Sequence, residues 1–203
     1  MSLPVSKKYL PMEAQPAMEL PAGPEWHYEP KWDGFRCLAF RDDGKVELVS
    51  KSQKPLTRYF PELVAELSSL KAKKFVLDGE IVIPVDGKLS FDDLLQRIHP
   101  AASRVEMLSR TTPAQMVVFD LLLNEKGESL VESNLEKRRP ALEKFYKKFL
   151  EGSGRIVLSR KTLDREASRT RSLSGLRGRH HRWSGSSPSS PTSPFRCSRS
   201  GSG

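Results

Sequence analysis

The sequence predicts an α+β domain with a mainly antiparallel sheet over residues 25–164, preceded by a lead-in (1–24) and followed by a disordered tail (165–203). Three observations carry this. Strand and helix signals alternate cleanly from residue 26 to 164; consecutive apolar runs are joined by Asp-Gly turns; and the composition breaks abruptly after Asp164. Short strands linked by tight turns favour antiparallel neighbours, because parallel strands need long crossovers.

Taken in order, Arg36 to Arg41 and Val46 to Ser50 are two strands joined by Asp42-Asp43-Gly44-Lys45, a strong hairpin signal. Pro61 opens a helix with Leu63, Val64, Leu67 and Leu70 on one face. Lys74 to Val85 is a strand rich in β-branched residues, closed by Asp86-Gly87. Ser90 and Asp93 form a capping box for a helix carrying Leu94, Leu95 and Ile98. Gln115 to Leu123 is almost wholly apolar and should be central in the sheet. Ser133 and Glu136 read as a second capping box, for a helix through Leu142, Phe145 and Phe149; Pro140 should kink that helix or mark its start. Arg155 to Ser159 is a last short strand.

The last 39 residues hold twelve serines and eight arginines, but no lysine, valine, isoleucine or tyrosine. Such a segment cannot bury a core, so disorder is expected. It reads either as an arginine/serine-rich nucleic-acid-binding arm or as an out-of-frame translation, and the abrupt break favours the second. The eight arginines face one acid, Glu166, so seven of the nine net positive charges lie there and the body is nearly balanced. The charge of the body therefore does not by itself argue for DNA binding. No apolar run approaches the roughly 18–20 residues needed to span a membrane. Cys37 and Cys197 are the only cysteines, without metal-ligand spacing, so a reducing cytoplasm is the expected compartment.

One hexapeptide carries the chemistry. Lys31-Trp32-Asp33-Gly34-Phe35-Arg36 places a lysine in a turn that feeds a strand, with an arginine at the strand's start. A lysine fixed beside other charges acts as a nucleophile if its amine loses its proton; the alternative is a solvated surface lysine. With its flank Trp26-His27-Tyr28-Glu29-Pro30, the segment resembles the first signature of the covalent nucleotidyltransferases, and within them the bacterial ATP-dependent DNA ligases. Leu10-Pro11-Met12-Glu13-Ala14 is similar to their lead-in, and the resemblance covers residues 9–164. Val76-Leu77-Asp78-Gly79-Glu80-Ile81-Val82 resembles the block whose glutamate contacts the nucleotide ribose. Val117-Val118-Phe119-Asp120-Leu121-Leu122 resembles the block whose aromatic ring stacks on adenine. Each block alone is an ordinary strand; their order after Lys31 makes the joint signal. Ser50-Lys51-Ser52-Gln53-Lys54 stands where the family has serine-arginine, so Lys51 replaces an arginine that engages a DNA 5′-phosphate. Lysine keeps the charge and loses the bidentate fork.

The resemblance implies a partial ligase adenylation domain of the ATP-grasp-like kind, using ATP and Mg²⁺ on nicked double-stranded DNA, as a monomer. Lys31 would attack the α-phosphate of ATP, Glu29, Arg36, Glu80 and Phe119 would bind the nucleotide, and Glu80 is also the candidate metal ligand. Arg36 and Mg²⁺ would favour the neutral amine. The family's later glutamate-glycine-valine and lysine-x-lysine blocks are not found: no glutamate follows Glu166 and no lysine follows Lys161. The chain therefore reads as truncated or frame-shifted after about residue 164 and poorly active, with an exposed sheet edge and an unfilled apolar face near Val117–Leu123. The alternatives are an RNA ligase, a GTP-using capping enzyme, or a non-catalytic DNA-binding remnant.

Overall fold

The computed structural model describes residues 3–12 and 26–161, and the backbone of Phe195–Arg199. A five-stranded sheet is built from β2 (Phe35–Asp42), β3 (Lys45–Ser50), β4 (Lys74–Val82), β7 (Gln115–Leu123) and β8 (Ile156–Leu158). Its order is β3-β2-β4-β7-β8, antiparallel throughout except for the parallel β7–β8 pair. β5 (Pro84–Val85) and β6 (Lys88–Leu89) form a small hairpin. Four helices are described: α1 (Pro61–Ser69), α2 (Phe91–Gln96), α3 (Ala102–Thr111) and α4 (Leu135–Phe145), the last running into a π turn at Tyr146–Leu150.

Period-two alternation divides the sheet into two working faces. Cys37 and Ala39 of β2, Phe75, Leu77 and Ile81 of β4, and Met116 and Val118 of β7 join Leu63 and Leu67 of α1 and Leu142 and Phe145 of α4 in the main core. Leu38, Phe40, Val76, Leu122 and Leu123 face the other way, onto Val5 and the partly buried Leu3, Tyr9 and Val131. This second layer overturns the expectation of an unfilled apolar face. Val117, Val118, Leu121, Leu122 and Leu123 are all buried: Val118 and Leu121 pack into the main core, while Leu122 and Leu123 are covered where the start of the chain folds back over the sheet. Lys7 of that segment also pairs with Glu47 of β3.

The Asp-Gly turns are where the sequence puts them. Asp43 adopts a positive φ of 49° between β2 and β3, and Asp86 and Gly87 (48° and 77°) turn β5 into β6. The Ser90 hydroxyl accepts from the Asp93 amide and caps α2, but that helix ends at Gln96, and Leu95 and Ile98 are exposed rather than core. The cap of α4 is Asn134, not Ser133: the Asn134 side chain accepts from the Lys137 amide. The Ser133 carbonyl instead accepts from Arg138, whose guanidinium is held by Asp120 at 3.0 Å. Pro140 lies inside α4 rather than at its start.

The tail expectation falls largely on residues outside the described set, as does the lead-in boundary at residue 24. Phe195–Arg199 differs from it: this segment, β9, pairs antiparallel with β1 (Trp26–Pro30), from Trp26↔Arg199 to Pro30↔Phe195. An edge strand offers a row of backbone groups that almost any proline-free segment can satisfy. Residues 195–199 are proline-free, whereas Pro188, Pro191 and Pro194 precede them.

A buried ion pair fastens α1 to the loop after α2. Arg97, fully buried, donates to both oxygens of Glu62 at 2.6 and 2.8 Å, and Glu62 also accepts from the Ala114 amide at the entrance to β7. Glu62→Ala would leave that guanidinium buried without its counter-charge. We expect a loss of about 3–5 kcal/mol, read from urea unfolding; a change under 1 kcal/mol would mean that water reaches Arg97.

Candidate active site

The turn carrying Lys31 links β1 to β2, and its shape is imposed by close backbone approach. A Cβ on Gly34 would lie 2.2 Å from the Ile81 carbonyl oxygen of β4, so only glycine lets the turn sit against that strand. Gly79 has the same reason one strand further: its Cβ would lie 2.6 Å from the Val117 carbonyl of β7. The Asp-Gly pairs at 33–34 and 78–79 are thus the points where three strands crowd together.

Beside that crowding lies an open cleft of about 1060 Å³. Lys31, Arg36, Lys51, Glu80 and Phe119 all line it, with Trp32 and Tyr59 among the remaining walls. Period two explains the convergence, for Arg36 and Glu80 are cross-strand partners and Glu80 is paired in turn with Val117. Glu29 is not among the lining residues. It is buried in β1, where its Oε1 accepts from Arg139 of α4 at 2.5 Å.

Arg36 is tightly held. Its Nε and Nη2 donate to the two oxygens of Asp78 at 2.5 and 2.6 Å, Nη2 also reaches the Met12 carbonyl at 3.2 Å, and the guanidinium lies 4.5 Å from the Phe119 ring centroid. Burial works against its charge, but the hydrogen bonds and charge of Asp78 outweigh burial and raise its pKa above the ordinary value. Asp78 was not singled out in the sequence, although it lies two residues before Glu80 in β4, the spacing of one strand face. Asp78→Asn would replace one acceptor by an amide donor facing the guanidinium. We expect it to destabilise the domain by about 2–4 kcal/mol in a thermal or urea melt; an unchanged midpoint would show that Arg36 is held from elsewhere.

Glu80 is the one carboxylate lining the cleft among the described residues, and these contain no group of three metal-binding side chains. Cys37 is no competing nucleophile, because it is fully buried and burial pushes its thiol far up. No helix among the described residues is long and apolar enough to cross a membrane.

Residues 11–171 match the family model described as ATP dependent DNA ligase domain. The chain belongs to that family. DNA ligase C of Mycobacterium tuberculosis (strain ATCC 25618 / H37Rv) is 52% identical over 122 residues, covering 60% of this chain and 34% of that protein. DNA ligase C2 of Mycolicibacterium smegmatis (strain ATCC 700084 / mc(2)155) is 51% identical over 143 residues, covering 70% of this chain and 40% of that protein. The solved ligase domain of M. tuberculosis LigD has a TM-score of 0.53 at 27% identity, covering 71% of this chain and 45% of that one. A mycobacterial DNA ligase D solved with ATP and MES gives 0.52 at 26% identity, covering 71% and 44%. The chain spans less than half the length of each of these relatives. The family read from the Lys31 segment is therefore correct, its fold is the ligase adenylation fold in part, and the capping, RNA-ligase and inert-remnant readings are not favoured.

Proposed function

We propose that this chain carries the lysine-adenylation chemistry of an ATP-dependent DNA ligase, with Lys31 as the nucleophile. The observation that supports this best is the single cleft lined by Lys31, Arg36, Lys51, Glu80 and Phe119, four of them cationic or aromatic and suited to a nucleotide. The neutral Lys31 amine attacks the α-phosphorus of ATP. The bond from that phosphorus to the bridging oxygen breaks, pyrophosphate leaves, and the amine proton passes to solvent, giving a lysyl–AMP phosphoramidate. Phe119 offers its ring to the base, a contact worth about 1–3 kcal/mol by analogy with base–aromatic stacking. Glu80 accepts from ribose hydroxyls and Arg36 donates to ribose or phosphate oxygens. Glu29, bound to Arg139 of α4, helps to place β1 and the turn that follows it.

Mg²⁺ typically takes one or two carboxylates and completes its shell with substrate phosphates and water, so Glu80 alone fits the protein's share. When bound, the ion neutralises charge on the triphosphate. For the whole protein we propose transfer of AMP to the 5′-phosphate of nicked duplex DNA, with Lys51 near that phosphate, and displacement by the 3′-hydroxyl. A monomer acting in the cytoplasm completes the reading.

Incubation with α-labelled ATP and Mg²⁺ followed by a denaturing gel tests the first step. A covalent AMP adduct is expected at low yield, because the family's glutamate-glycine-valine and lysine-x-lysine blocks are not found in this sequence. Labelling by GTP instead would favour capping chemistry, and salt-sensitive DNA binding without any label would favour an inert binder.

A further inference from the structure

We propose that Ser159, one residue beyond β8, is a positioning residue that locks the Lys31 turn to the Phe119 strand through Trp32. Ser159 is fully buried and every polar group it has is engaged. Its amide donates to the Val118 carbonyl of β7 at 2.8 Å, and its carbonyl accepts from Arg139 Nη2 at 2.6 Å. Its hydroxyl accepts from the indole Nε1 of Trp32 at 3.1 Å and faces Glu29 Oε2 at a longer 3.5 Å. Trp32 follows Lys31 and Val118 precedes Phe119. One serine thus ties together the neighbours of the nucleophile and of the base-stacking ring, which lie far apart in the chain.

The chemistry at this position is demanding. An indole N–H only donates, so its partner must accept, while the carboxylate of Glu29 only accepts, so the same partner must donate. A hydroxyl does both at once. The tie matters because the lysine stem is long and flexible, so the turn's backbone must limit where the amine can reach. A misplacement of about 1 Å at a reacting atom can cost about a hundredfold in rate. Trp32 is also a wall of the cleft, so the anchor and the reacting space share one side chain.

This inference rests on the adenylation reading, and the experiment separates the two. The full chain, Ser159→Ala, Trp32→Phe and the double variant are compared in single-turnover labelling by α-labelled ATP across ATP concentrations. Amide hydrogen exchange of residues 31–36 is followed in parallel. We expect each single change to slow labelling at saturating ATP about five- to tenfold, the effect of one lost hydrogen bond. Half-saturating ATP should stay within about twofold, and exchange over 31–36 should quicken. The double variant should be no slower than the slower single, because both changes remove one interaction. Trp32→Phe sits at a partly exposed position and keeps the test decisive should Ser159→Ala not fold. Unchanged labelling rates, or losses that multiply in the double variant, overturn the proposal even if the variants melt earlier, since that pattern marks a purely structural serine. Absence of label from the unaltered chain overturns the adenylation reading and the positioning role with it, leaving exchange to report only a structural tie.

Discussion

Lys31→Ala is expected to remove the covalent nucleotide adduct completely, and Lys31→Arg to do the same. The arginine variant is the more informative. It restores a positive charge to the turn, but a guanidinium stays protonated at any working pH and has no lone pair to offer phosphorus. Loss in both variants therefore separates nucleophilicity from simple charge in the cleft. The Cys37 thiol is buried in β2 and Lys126 sits in an exposed turn away from the cleft lining; Lys51 and Lys54 share the cleft, so Lys51→Ala, expected to keep the adduct, is the decisive control. Lys126→Ala should label like the unaltered chain. Binding of ATP should weaken only modestly on loss of Lys31, since Arg36, Glu80 and Phe119 remain. The measurement is labelled protein on a denaturing gel beside equilibrium binding of ATP. An adduct that survives Lys31→Ala would remove Lys31 from the nucleophile's role.

Gly34→Ala should be the most damaging single methyl in the domain. The added carbon would lie 2.2 Å from the Ile81 carbonyl oxygen, 2.9 Å from Val82 Cγ1 and 3.0 Å from Glu80 Cγ. The first of these is backbone of β4, where Ile81 pairs with Phe35 at the start of β2 and with Met116 of β7, and it cannot swing aside, so the turn itself must lift from β4. Overpacking of this kind costs about 1–3 kcal/mol in stability. The larger consequence is for chemistry, because the displaced turn carries Lys31 and the displaced strand carries Glu80. A shift of about 1 Å between them predicts a fall of about a hundredfold in labelling rate. Gly44→Ala is the matched control, since nothing lies within 4 Å of a Cβ built there. Equal rates for Gly34→Ala and the unaltered chain would show that the turn relaxes without moving the lysine.

Much of this molecule was legible in its sequence. Gln115–Leu123 declared itself a central strand by being apolar on both faces, and it sits between β4 and β8 with its bounds as read. Asp-Gly turns set the β2–β3 hairpin because few other pairs accept positive φ. Other elements gave weaker signals. Helix α3 was not foreseen: its N-cap, Ala101, makes no side-chain bond, and its apolar stripe is narrow, with Val105 buried and Leu108 only partly so, so it shows no start signal and a weak face. The N-terminal segment reads as a lead-in, and only the structure turns Val5 into a lid over Leu38 and Val76.

The sequence by itself determined the family, the nucleophile candidate, and the face on which Arg36, Glu80 and Phe119 gather. These follow from local rules: glycine where backbones touch, alternation along a strand, and a fixed order of blocks. Tertiary structure decided the partners. Glu29 and Glu80 are both acids beside a signature, yet Glu80 faces the cleft while Glu29 turns inward to Arg139, 110 residues away. Arg36 and Asp78 meet only because β2 and β4 lie side by side, and Ser159 reaches Trp32 across 127 residues of chain. Buried charges and hydroxyls must find partners wherever the fold brings one within hydrogen-bonding distance. Sequence spacing carries no record of which distant partner that will be.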